Sequence, residues 1–131
     1  MDVSVFPPTK IYLKKIPGKG RGVFAEGLIQ SGELIEECPV SFISRQEDRT
    51  VRNASTTLRQ YLYVWDDESE EEAAAIVFGY GMLYNHSNSP NMRFEIDFDK
   101  PSISWFAKRD IQKDEECVFD YDVKLWFNPV E

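Results

Sequence analysis

The sequence predicts a mainly β domain of several small sheets with little helix. Three observations predict it. Short runs of β-branched and aromatic residues recur along the 131 residues, punctuated by Gly, Pro, Asn and Asp turn signals. Two alternating runs, Met92 to Phe98 and Ser102 to Ala107, flank Asp99-Lys100-Pro101 in a hairpin signature. Only Met82-Leu83-Tyr84 reads as helical, and for a single turn. The length is that of one domain, and no repeat or linker divides it, so residues 1–131 are expected to form a single unit.

In chain order, Met1 to Lys10 reads as an extended lead-in containing Pro7-Pro8, and Ile11-Tyr12-Leu13 as a short strand. Gly18, Gly20 and Gly22 then leave the backbone bare at alternate positions before Val23-Phe24-Ala25, in a loop able to press its N–H and C=O groups against a ligand. It is not a phosphate loop, because the Lys-Ser/Thr ending is missing; a hairpin turn is the default reading. Ser31-Gly32 is a turn, and Leu34 to Val40 a strand that Phe42 and Ile43 continue. Arg45 to Thr57 is polar without periodicity and reads as a loop. Leu58 to Trp65 reads as strand or short helix, with strand favoured by its aromatics. Asp66 to Glu72 is an acidic run expected to be a solvated loop, and Ala73 to Phe78 a buried strand. Asp110 to Glu115 is a polar turn, Cys117 to Tyr121 the last strand, and Val123 to Phe127 an apolar tail.

Composition excludes several functions. The formal charge is −8, which disfavours nucleic acid, since phosphate contacts need a basic face. A basic protein or peptide partner fits this charge through steering. No apolar run is long enough for a signal peptide or a membrane helix, so a membrane role is not expected. One histidine and two cysteines without a CxxC pair cannot build a standard structural zinc site. Cys38 and Cys117 read as buried free thiols, which favours a reducing compartment. The cytoplasm is the expected location, or the nucleus if the chain acts in a eukaryotic cell.

One stretch departs from this ordinary pattern. Tyr84-Asn85-His86-Ser87-Asn88-Ser89-Pro90-Asn91 is polar, holds the only histidine, and lies between apolar runs. By itself it reads as a surface turn. Taken in order with Gly20-Arg21-Gly22-Val23-Phe24-Ala25 before it and Glu115-Glu116-Cys117-Val118-Phe119-Asp120-Tyr121 after it, it resembles the SET domain. That family comprises protein-lysine methyltransferases that use S-adenosylmethionine. The resemblance runs from about Ile11 to Trp126 and is to the minimal viral and bacterial members without zinc-binding flanks. Cys117 and Val118 depart from the Leu or Ile and the Thr or Ser common there; both remain strand formers.

The resemblance implies a β-clip fold with a C-terminal pseudoknot, in which Asn85-His86-Ser87 lies beside the last strand and one segment passes through the loop holding the other. It also implies the site. Backbone groups of Lys19, Gly20, Arg21 and Gly22 would hold the methionine end of the cofactor, Asn85 its amino group, and the main chain of His86 the adenine edge. The His86 ring would be structural. Tyr84 would belong to the cofactor site, and Trp126 could cover the adenine. Tyr121 matches the catalytic tyrosine. Tyr61 matches the tyrosine lining the lysine channel, with Tyr63 as its rival. Phe119 falls where Phe or Tyr affects how many methyl groups are added. Core packing explains Tyr61, Tyr63 and Trp126 equally well. No metal is implied, and a homodimer is compatible. The alternative to an active enzyme is a catalytically weak SET-fold interaction module.

Overall fold

The computed structural model describes residues 8–18, 20–65 and 68–121. Strands β1 (Ile11–Ile16) and β2 (Gly20–Ala25) form an antiparallel hairpin. A five-stranded antiparallel sheet is built from β3 (Leu34–Ile43), β4 (Tyr63–Val64), β5 (Ala74–Val77), β7 (Met92–Asp97) and β8 (Ser102–Ala107), in the order β4-β5-β3-β8-β7. A third sheet has two parallel strands, β6 (Asn85–His86) and β9 (Val118–Phe119). The mainly β architecture of small sheets is therefore present, and the β7–β8 hairpin pairs Met92 with Ala107 through Asp97 with Ser102.

Two elements differ from the sequence reading. Residues 45–54, expected as a loop, form helix α1 (Arg45–Ala54). Its cap is local: Ser44 Oγ accepts the Glu47 N–H, and Glu47 Oε1 accepts the Ser44 N–H, both at 3.2 Å. Asp48 and Arg52 add an i,i+4 ion pair at 2.6 Å. The helix buries no residue, so it leaves no apolar periodicity to read. Between Leu58 and Trp65 the chain is not one strand. Leu58–Gln60 is a 3-10 turn, and only Tyr63–Val64 pairs with the sheet. In that pairing Tyr63 lies opposite Ala75 and Val64 opposite Ala74.

The core gathers Trp105, Tyr84, Phe119, Ile29, Met92, Ile111 and Val23 between the sheets. Each large apolar side chain withdrawn from water contributes about 1.5–3 kcal/mol. Cys38 and Cys117 are buried free thiols within it. Among the described residues, no helix is long and apolar enough to cross a membrane, and no group of three or more His, Cys, Asp or Glu could hold a metal ion.

Residues 111–121 position the site. On one side this segment bonds the first hairpin and its continuation: Ile111 pairs with Ile29, the Asp114 N–H donates to the Ala25 carbonyl, and the Cys117 N–H to that of Val23. On its other side lies the polar stretch 85–91. The last strand thus runs between two parts of the chain that are far apart in sequence, the crossing that a pseudoknot requires.

Candidate active site

The polar stretch is buried because the crossing strand satisfies it. Asn91, only 1% exposed, acts as a short strand by itself: its Oδ1 accepts the Val118 N–H at 2.9 Å, and its Nδ2 donates to the Glu116 carbonyl at 2.7 Å. The Ser87 N–H donates to the Phe119 carbonyl and the Asn91 N–H to that of Val118. His86 is buried too. Its Nδ1 accepts the Tyr121 N–H at 3.2 Å, which leaves Nε2 to donate to Asn88 Oδ1 at 3.0 Å. Both ring nitrogens are thereby committed, and the ring packs edge-on against Tyr121. The ring's partners are internal to the fold, whereas a general base would need a nitrogen lone pair directed at substrate.

Tyr121 hangs from the same crossing. Its hydroxyl donates to the Tyr84 carbonyl at 2.7 Å, and its ring packs on Phe119 and His86. Burial first, and then Glu116 and Tyr61, push the phenol up to about 12. The group stays protonated at neutral pH. The same effect places Tyr61 and Tyr63 in the Tyr121 neighbourhood: Tyr63 is raised by burial first and then by Tyr121. The two rivals differ in commitment. The Tyr63 hydroxyl donates to the Gly81 carbonyl inside the fold, whereas Tyr61 is half-buried and lines an open cleft.

That cleft, about 570 Å³, is formed by Leu13, Lys14, Lys15, Gly20, Arg21 and Tyr61. Gly18 and Gly20 turn the hairpin with φ of 82° and 85°, a conformation that other residues adopt at a cost. Gly22 serves packing instead. A Cβ there would come within 2.5 Å of Glu116 Oε2 and Ile16 Cδ1 and 3.0 Å of Asn85 Nδ2. The bare backbone lets those groups close in. Asn85 Nδ2 donates to the Arg21 carbonyl at 3.0 Å and to Glu116 Oε2 at 2.7 Å. Both bonds are made by Nδ2, so the amide's acceptor, Oδ1, takes part in neither.

Asn85, His86, Tyr121, Gly20, Arg21, Gly22 and Tyr61 are accordingly brought together around the crossing and the cleft. Tyr84 and Phe119 sit deeper. The Tyr84 ring is 1% exposed and bonds Glu36, so only its carbonyl reaches Tyr121. Phe119 is 2% exposed and packs among Tyr84, Phe94, Trp105 and Tyr121. Lys19 and Trp126 lie outside the described residues. Sequence reasoning assigned no role to Glu116 or Asn91, although both stand inside the quoted motifs. Their partners come from remote segments, and spacing alone could not show them.

Residues 20–122 match the SET domain family. The chain belongs to the SET domain family. A Schizosaccharomyces pombe histone-lysine N-methyltransferase specific for H3 lysine-37 is 34% identical over 109 residues, covering 83% of this chain and 71% of that protein. An N-lysine methyltransferase of Danio rerio is 30% identical over 114 residues, 81% of this chain and 33% of its own length. This SET domain thus spans most of the first relative and a third of the second. Among solved structures, a Plasmodium falciparum candidate histone methyltransferase superposes with a TM-score of 0.66 at 33% identity, over 88% of this chain and 100% of that one. SET methyltransferases use S-adenosylmethionine as methyl donor.

Proposed function

We propose that this SET domain transfers a methyl group from S-adenosylmethionine to the side-chain amine of lysine in a basic protein, such as a histone tail. Family membership and the relatives' shared activity make the chain a protein-lysine methyltransferase. The observation that carries the site is that Asn85 and Tyr121 are locked to each other's segments by one crossing of strands.

The residues present fit the cofactor. Asn85 Oδ1, with the Glu116 carboxylate beside it, offers acceptors to an ammonium group, and the hairpin at Gly20, Arg21 and Gly22 offers backbone polar groups; Lys19 and Trp126 complete the set by resemblance. When bound, the cofactor supplies a methyl group activated by its sulfonium charge. The protein's task is to present a neutral amine in line with it. Free lysine has a pKa of about 10.4, so the amine must lose a proton that water normally lets it keep. Tyr61 and Tyr121 strip water from the approach, which disfavours the ammonium form. The Tyr121 hydroxyl donates its hydrogen bond to the Tyr84 carbonyl, so its oxygen is left to accept an amine N–H and fix the lone pair's direction. Because Tyr121 is itself protonated, the proton leaves through water rather than through this side chain.

The acidic balance suits a basic substrate, with no direct nucleic-acid or membrane contact; self-association into a homodimer is compatible with the reading. A histone substrate would place the chain in the nucleus and another basic protein in the cytoplasm. Titration calorimetry with S-adenosylmethionine tests the first step, and transfer of labelled methyl to core histones or ribosomal proteins tests the second. Saturable cofactor binding and label on lysine are expected. No heat at millimolar cofactor would remove the enzyme reading.

A further inference from the structure

A buried carboxylate stands behind the site, and the chemistry just described does not use it. Glu36 is 5% exposed, on the central strand β3 opposite Trp105. Strict alternation would send either Ile35 or Glu36 outward. A register shift between Leu34 and Glu36 turns both inward, the re-aiming that a bulge provides. The carboxylate then meets the loop leading into Asn85-His86. Its Oε1 accepts the Tyr84 hydroxyl at 2.6 Å, and its Oε2 accepts the Tyr80 N–H at 2.9 Å. Gly79, at φ 76°, makes the room: a Cβ there would lie 2.5 Å from Oε2 and 3.2 Å from Cys38 Sγ.

Burying a carboxylate without a cationic partner costs several kcal/mol, and an apolar residue of similar volume would pack there more cheaply. What Glu36 gains for the fold is a fixed loop. The loop is gripped again by Tyr63, whose hydroxyl donates to Gly81, and closes on itself through the Leu83 N–H to the Tyr80 carbonyl at 2.8 Å. Its end is Tyr84, which joins the two halves of the device. The side chain is tied to Glu36, and the carbonyl receives the Tyr121 hydroxyl at 2.7 Å. We propose that Glu36 is a positioning residue for methyl transfer: through Tyr80 and Tyr84 it fixes the carbonyl that orients the Tyr121 hydroxyl. The proposal rests on the methyltransferase reading for its consequence in turnover, though the link itself is geometric.

Glu36→Gln keeps the shape and replaces one acceptor by a donor. The amide oxygen can still accept the Tyr80 N–H, but the other end can only donate to the Tyr84 hydroxyl oxygen, so a neutral bond of reversed direction replaces a charge-assisted one and the grip on Tyr84 weakens. Tyr84→Phe cuts the same link from the other end, keeps the ring, and serves alone should the first variant fail to fold. Two readouts are needed. In protein labelled with 13C at the tyrosine ring carbon bearing oxygen, the Tyr121 signal, assigned with Tyr121→Phe, should move in both variants. In turnover, both should lower kcat about tenfold with KM for peptide nearly unchanged, and neither should lower it further in the Tyr121→Phe background. A merely structural Glu36 would lower thermal stability and leave the Tyr121 signal in place. An unmoved Tyr121 signal in a folded variant, or an equal loss of kcat with and without the Tyr121 hydroxyl, overturns the proposal. A wild type that methylates nothing, with the Tyr121 signal still answering to Glu36, would instead sink the methyltransferase reading and leave the link intact.

Discussion

Tyr121 has a single hydroxyl proton, and it is donated in a hydrogen bond to the Tyr84 carbonyl. Removing that hydroxyl should therefore cost orientation rather than packing, because the ring keeps its contacts with Phe119 and His86. Tyr121→Phe is expected to lower single-turnover methylation on the order of a hundredfold while melting temperature and cofactor affinity barely move. A stable variant with near wild-type turnover would show Tyr121 to be a core residue only. Since the phenol is pushed up to about 12, its ionisation lies above any working pH, and no limb of the wild-type pH–rate profile near neutrality should disappear in the variant. Phe119 differs from Tyr121 in its surroundings. Its ring is enclosed by Tyr84, Phe94 and Trp105, so any hydroxyl added there must find a partner inside the core before it can act on the product.

Elements differ in how much of them the sequence discloses. The β7–β8 hairpin was legible because Met92 to Asp97 and Ser102 to Ala107 alternate across a sheet with one buried face. Helix α1 was not, because nothing on it is buried and its stability is local. Its announcement was the capping pair Ser44 and Glu47, a signal of one hydrogen-bonded box rather than of periodicity. Ser44→Ala should accordingly cost about 1 kcal/mol of stability. Chemical denaturation would read that loss, with methyl transfer to a peptide unchanged per folded molecule. An unchanged midpoint would mean that the helix is held by its docking instead, through Arg45, whose guanidinium donates to the Ser69 carbonyl at 2.7 Å. The site divides in the same way. Asn85, His86 and Tyr121 could be named from motif order. Glu116, Asn91 and Glu36 could not, because each acts through a partner from another segment: Asn85, Val118 and Tyr84 respectively.

At the scale of the whole molecule, charge and topology act over longer distances. With a formal charge of −8, encounter with a cationic tail is steered, and added salt shortens the reach of that field to about 8 Å at physiological strength. Apparent KM for a basic peptide should rise several-fold between low and high salt, while cofactor affinity measured alone changes little; a flat KM would place recognition in short-range contacts. Topology sets a different limit. The β1–β2 and β7–β8 hairpins close from neighbours in the chain, whereas β3 must find β8, pairing Leu34 with Phe106, and β6 and β9 must bring Asn85 to Val118 and His86 to Phe119. Neither strand has a ladder until the other arrives, and the crossing segment must also find Val23 and Ile29 on its far face. Loop closures of this kind are slow and unrewarded until complete. During refolding, then, hairpin structure should precede competence: part of the β signal returns while Asn85 and Tyr121 are still apart, and methyl-transfer activity is expected to appear only once the crossing has formed.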